Sequence, residues 1–98
     1  VAKKPETSFK EKVLKDLRKL PKSWWVKTQQ VSISGTPDIL GCLDGKFIAI
    51  ELKRSLKASI SPLQEYNLKL ISAVACGVGI VTSPENWDKT ITMLREEL

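Results

Sequence analysis

The stretch Gly35-Thr36-Pro37-Asp38-Ile39-Leu40-Gly41-Cys42-Leu43-Asp44-Gly45-Lys46-Phe47-Ile48-Ala49-Ile50-Glu51-Leu52-Lys53 decides how the rest of the chain is read. Asp44-Gly45 lies between two apolar runs, and this dipeptide favours the backbone of a two-residue type I′ hairpin turn. Placing the turn there fixes the pairing. Leu43 faces Lys46, Leu40 faces Ala49, Ile39 faces Ile50 and Asp38 faces Glu51. Side chains alternate along a strand, so Asp38, Leu40 and Cys42 share a face with Phe47, Ala49, Glu51 and Lys53. The other face carries Ile39, Gly41, Leu43, Ile48, Ile50 and Leu52. Both faces are largely apolar, which predicts a hairpin inside the fold.

Working outward, residues 1–5 read as a loose basic tail. A helix is expected over 8–20, where Phe9, Val13, Leu17 and Leu20 recur at helical spacing. Thr7 or Ser8 can cap it and Pro21 ends it. Residues 24–33 read as a first strand, 34–37 as a turn, 38–43 and 46–53 as the hairpin strands, and 54–60 as a basic loop. Ser61-Pro62 opens a second helix with Ser as cap and Pro as first residue, and Gly77 is expected to stop it after Cys76. A buried strand over 78–82 and a helix opening at Ser83-Pro84-Glu85 complete the chain. Helix, three strands, helix, strand, helix implies an α/β fold, a mixed central sheet flanked by helices. At 98 residues, the sequence makes one domain spanning 1–98.

Charge narrows the partners. Lys and Arg number 16 against 11 Asp and Glu, a net charge of +5. Such a balance favours a polyanion, although a solvated basic surface has the same composition. The chain has no histidine, which excludes His-centred acid–base catalysis and His-bearing zinc sites. Cys42 and Cys76 form no CxxC pair and read as buried free thiols in a reducing compartment, with a single disulfide as the alternative. The longest apolar stretch, over 70–81, is too short to span a bilayer, so no membrane partner is expected. The Lys-rich start shows no signal-peptide pattern.

The hairpin register has a chemical consequence. Opposed residues have Cβ atoms about 5 Å apart, and two carboxylates at that spacing repel by roughly 3 kcal/mol at an effective dielectric near 20. A divalent cation between Asp38 and Glu51 would turn that repulsion into binding. An oxygen-only donor set with no His or Cys nearby favours Mg²⁺, Mn²⁺ or Ca²⁺. Lys53, two residues on, could hold a scissile phosphate or orient the attacking water. The competing reading is a carboxylate pair neutralised by Lys53 at an exposed strand end. Gln64 lies three residues after Ser61, the spacing of a capping box. Arg54 and Lys57, with Ser55, Ser59 and Ser61, follow the active strand and could contact a phosphate backbone, or form an ordinary polar loop. Of Trp24 and Trp25, neighbours on a strand, one should be core; the other could stack on a base or form a subunit contact.

Pro37-Asp38 followed by Glu51-Leu52-Lys53 after a hairpin resembles the PD-(D/E)xK nuclease superfamily. Gly35-Thr36-Pro37-Asp38-Ile39-Leu40, Gly45-Lys46-Phe47, Glu51-Leu52-Lys53 and Ser61-Pro62-Leu63-Gln64 together look like its VRR-NUC branch, over about residues 6–82. The resemblance implies an αβββαβα restriction-endonuclease-like core and Mg²⁺-dependent hydrolysis of DNA phosphodiesters. It implies Asp38 and Glu51 as metal ligands joined by the Leu52 carbonyl, Lys53 as the catalytic lysine and Gln64 as a site residue. A glutamate from the first helix is a further ligand in this family; Glu6 fits the stripe facing the sheet and Glu11 is the runner-up. Branched DNA such as a four-way junction or flap, a homodimer, and a bacterial or phage-encoded protein acting in the host cytoplasm are implied too. A restriction-type or general nuclease, or a catalytically silent nucleic-acid-binding domain, are the alternatives.

Overall fold

Asp44 and Gly45 both adopt positive φ, 51° and 84°, as a type I′ turn requires. The turn joins β2, Ile39–Leu43, to β3, Lys46–Leu52. Their pairing runs from Ile39 opposite Ile50 to Leu43 opposite Lys46, the register expected from the turn. The structure is a computed structural model that describes residues 5–29 and 33–97, with side chains over 8–29 and 33–96. Around the hairpin stand α1 (Pro5–Leu17), β1 (Ser23–Lys27), α2 (Pro62–Lys69), β4 (Val78–Thr82) and α3 (Trp87–Glu97). The sheet order is β1-β2-β3-β4, antiparallel in its first two pairings and parallel between β3 and β4. The fold is therefore a mixed α/β sheet flanked by helices.

One sheet face forms the core. Ile39, Leu43, Ile48 and Ile50 meet Val13 and Leu17 of α1 and Trp87, Ile91 and Leu94 of α3. Trp25 joins them at 3% exposure while Trp24 is 66% exposed, the division that strand alternation requires. Trp25 lies flat over Gly41: a Cβ there would come within 2.3 Å of its ring. The opposite face is covered at one end, where Leu68 of α2 packs over Gly79. At its other end Trp24, Cys42 and Phe47, paired across three strands, are exposed. The hairpin is thus interior on one face and only half covered on the other. Both cysteines are free, and both are exposed rather than buried.

Element ends depart from the sequence reading for identifiable reasons. α1 begins at Pro5 and ends at Leu17, not over 8–20; proline suits a first turn because its missing N–H has no intrahelical partner to lose. Leu20 stays buried through a turn in which its N–H donates to Leu17 O at 3.0 Å. β1 stops at Lys27, short of 33. α2 passes into a π-helical turn, Leu70–Val74, and Cys76 rather than Gly77 holds the left-handed backbone, φ 61°. Gly77 is needed for space instead: a Cβ would lie 3.1 Å from the Phe47 carbonyl. α3 starts at Trp87, later than Ser83-Pro84-Glu85, because Asn86 Oδ1 accepts from Ser83 N–H at 2.7 Å and folds 83–86 into a turn.

Candidate active site

The site forms at the end of the sheet, at the rungs of the hairpin farthest from the Asp44-Gly45 turn. Asp38 immediately precedes β2. Thr28 anchors its backbone: the Thr28 N–H donates to Asp38 O at 2.8 Å and the Thr28 hydroxyl to Pro37 O at 2.7 Å. The turn before it is docked on α2, where Asn67 Nδ2 donates to Ser34 O at 2.9 Å. Gly35 has φ 78°, and a Cβ there would strike Leu63 and Asn67. So held, the Asp38 carboxylate closes the open end of the hairpin, and its Oδ2 accepts the Leu52 N–H at 2.8 Å.

Glu51 lies near the end of β3, 3% exposed. Gln64 Nε2 donates to its Oε1 at 2.6 Å. Its Oε2 is buried with no donor. Burial pushes the Glu51 carboxyl up to about 8, and the neighbouring Asp38 carboxylate adds to this. Lys10 opposes the rise.

Gln64 carries both roles that its spacing suggested. Its Oε1 accepts the Ser61 N–H at 2.7 Å and its own N–H donates to Ser61 Oγ at 3.2 Å, a complete capping box. The amide oxygen being taken by the cap, the amide nitrogen is turned onto Glu51. Ser61, expected near a phosphate, spends its acceptor on the cap.

Lys53 follows β3 and its backbone N–H donates to Thr82 O at 2.8 Å. Its ammonium donates to the Leu56 carbonyl at 3.1 Å and pairs with neither carboxylate. The cation at the carboxylates is Lys10 of α1, with Nζ 3.7 Å from Asp38 Oδ1. Sequence reasoning missed Lys10 by searching α1 for an acid; its place four residues after Glu6, on the same helical face, was the available signal. The Glu6 side chain lies outside the described residues. Glu11 lines a groove between α1 and β1. Arg54, Lys57 and Ser59 are exposed on the loop after Lys53, as their proposed roles would need.

A solved structure described as a VRR_NUC domain superposes on 92% of this chain and 97% of its own, with a TM-score of 0.76 at 22% identity. The fold is that of a VRR-NUC domain. No family model and no curated protein matches the sequence. In this chain Asp38 and Glu51 lie at one sheet end, beside Lys10 of α1 and Gln64 of α2.

Among the described residues, no group of three or more His, Cys, Asp or Glu side chains could hold a metal ion. The carboxylates offered are two, Asp38 and Glu51. Their chemistry suits a hard divalent cation nonetheless: all donors are oxygens, and Glu51 Oε2 is desolvated without a partner.

Proposed function

We propose that the chain is a divalent-metal-dependent DNA endonuclease. The observation that carries this reading is the buried Glu51 carboxylate, with one oxygen lacking any donor, packed beside Asp38 on a VRR-NUC fold. An orphaned buried acid costs stability, so it points to a positively charged ligand. Mg²⁺ is the proposed ion, with Mn²⁺ as a substitute; bound there it would neutralise charge developing on the phosphate and acidify water.

Asp38 and Glu51 would hold the ion, with the Leu52 carbonyl completing the protein's share. A glutamate from the first helix, Glu6, remains part of the proposal. Gln64 orients Glu51 from the helix cap, and the Leu52 N–H orients Asp38. Lys53 would leave the Leu56 carbonyl by side-chain rotation and hold the scissile phosphate or the attacking water. Arg54, Lys57, Ser59 and Ser61 would take the adjoining backbone phosphates. Branched DNA is the preferred substrate in this proposal and a homodimer the acting form: two cuts on opposed strands need two sites, which a two-fold dimer supplies. Action in a reducing cytoplasm fits two exposed thiols left unpaired.

Cleavage of end-labelled duplex, flap and four-way-junction DNA tests this, with Mg²⁺, Mn²⁺ or EDTA and with Asp38→Asn beside the wild type. Expected is metal-dependent cutting, fastest on the junction, and loss of activity in Asp38→Asn. Failure on every substrate would end the nuclease reading. Asp38→Asn within tenfold of wild type would end the proposed metal site. Equal rates on linear duplex, with a monomer by sedimentation, would leave a general nuclease.

A further inference from the structure

An open groove of about 550 Å³ lies between α1 and the edge strand β1, lined by Glu11, Leu14, Lys15, Arg18, Lys19 and Lys27. Four of its six lining residues are cations, all exposed. None of the four makes an ion pair with a described residue. Like charges gathered around one depression repel one another, and Glu11 is the one carboxylate among its lining residues. A fully solvated face would scatter such charges around the helix; here Lys15, Arg18 and Lys19 of α1 and the adjacent turn converge with Lys27 from another element.

The groove begins beside the candidate active site. Lys27 is the last residue of β1 and pairs with Ile39, the residue after Asp38. Lys10, at the carboxylates, is on the same helix as Lys15. From Lys10 to Arg18 the chain advances roughly 12 Å at 1.5 Å per residue, a length of about three to four base pairs of duplex. The exposed Arg54 and Lys57 follow β3, two strands away from β1, so cations flank the carboxylates from both sides.

We propose that this groove binds the phosphodiester backbone of the DNA and carries it away from the cleavage site along α1. The proposal rests on the nuclease reading and adds a surface to it. Lys15, Arg18, Lys19 and Lys27 act as phosphate contacts. Such contacts fix the position of the strand without reading its sequence. Glu11 lies at the groove wall, where its charge disfavours a phosphate at that one point.

The test is fluorescence anisotropy of a labelled four-way junction and a labelled duplex, in EDTA so that no cutting occurs, from 50 to 200 mM salt. The variant is Lys15→Gln/Arg18→Gln/Lys19→Gln/Lys27→Gln; the control is Lys89→Gln, an exposed lysine on α3. Each phosphate contact adds about 0.9 to the slope of log affinity on log salt. The groove variant should therefore lose about 2 to 4 from the wild-type slope and bind at least about tenfold more weakly at 100 mM salt. Lys89→Gln should lose no more than about 1 from the slope. Melting temperatures within a few degrees of wild type establish that the variants fold, and should the fourfold variant not fold, the double variant Lys15→Gln/Arg18→Gln, expected to lose about 2 from the slope, gives the reading. If wild type cuts and binds DNA while the groove variants keep its slope and affinity, the groove is overturned and the nuclease reading stands. If wild type binds no DNA, both fall.

Discussion

Replacing Glu51 with glutamine should stabilise the protein in the absence of metal. The Glu51 carboxyl titrates near 8 in the folded chain against an ordinary value of 4.5. A folded-state value above the unfolded one means that the protonated form is favoured by folding. Its stabilising contribution is full below about pH 4.5 and is lost as the pH rises through 8. At pH 7 the unfolded chain has released this proton and the folded chain still holds most of it. At about 1.4 kcal/mol per pH unit, that difference costs the folded state about 3 kcal/mol relative to pH 4. Glutamine removes the titration and keeps the shape. Its amide oxygen can accept the Gln64 Nε2, now 2.6 Å from Glu51 Oε1. Its amide nitrogen would stand where Oε2 is orphaned, with the Asp38 carboxylate as acceptor. For a domain of this size, the gain at pH 7 corresponds to a rise in Tm on the order of 10 °C. Thermal unfolding by circular dichroism in EDTA at pH 5, 6, 7 and 8 measures it. The two Tm values should be close at pH 5 and should separate steadily to pH 8. Added Mg²⁺ should raise the wild-type Tm and leave Glu51→Gln unmoved. A gap that does not widen with pH, or a Glu51→Gln protein less stable than wild type at pH 8, would refute the argument.

Lys53→Ala should abolish cleavage while a calorimetric titration with Mn²⁺ still shows binding, since its ammonium contacts neither carboxylate; a lost Mn²⁺ signal would assign Lys53 to metal-site support. Gln64→Ala removes the side-chain half of the capping box and the Glu51 hydrogen bond, while the backbone N–H at 64 can still donate to Ser61 Oγ, and chemical denaturation should show a loss of about 1–3 kcal/mol. Gly41→Ala would press a methyl group against the Trp25 ring and the Trp24 carbonyl, so chemical denaturation should show a loss of about 1–3 kcal/mol or more; unchanged stability would show that both can yield.

The hairpin was legible because its determinants are local. Asp44-Gly45 names a turn type, the turn sets the register, and the register brings Asp38 to the end of Glu51's strand. The start of α2 was legible for the same reason, since Ser61, Pro62 and Gln64 state a cap within four residues. What escaped depends on distant partners. The helical segment ends at Val74, two residues before the expected Cys76, and Cys76 takes the left-handed backbone while Gly77 lies close to the Phe47 carbonyl across the sheet. Lys53 reads as a neighbour of the carboxylates on strand alternation, yet the chain leaves the sheet there and its ammonium meets Leu56. The groove of Lys15, Arg18 and Lys27 needs the packing of α1 against β1, which no local pattern encodes.

The position of the site on the hairpin also orders events in time. A two-residue turn closes early, and pairing then spreads outward from Leu43 and Lys46. The contact between Asp38 Oδ2 and the Leu52 N–H lies beyond Ile39–Ile50, past the last paired rung. On this register it should be the first part of the hairpin to fray and the last to close, with Gln64 reaching Glu51 only once α2 docks. The Leu52 amide is therefore a clock for assembly of the site. In native-state hydrogen exchange it should open by a local, low-energy route while the core amides of Ile48 and Ile50 await global unfolding. Metal binding should slow the Leu52 amide selectively. Equal protection of all three amides without metal would mean that the hairpin and its Asp38 end open as one unit.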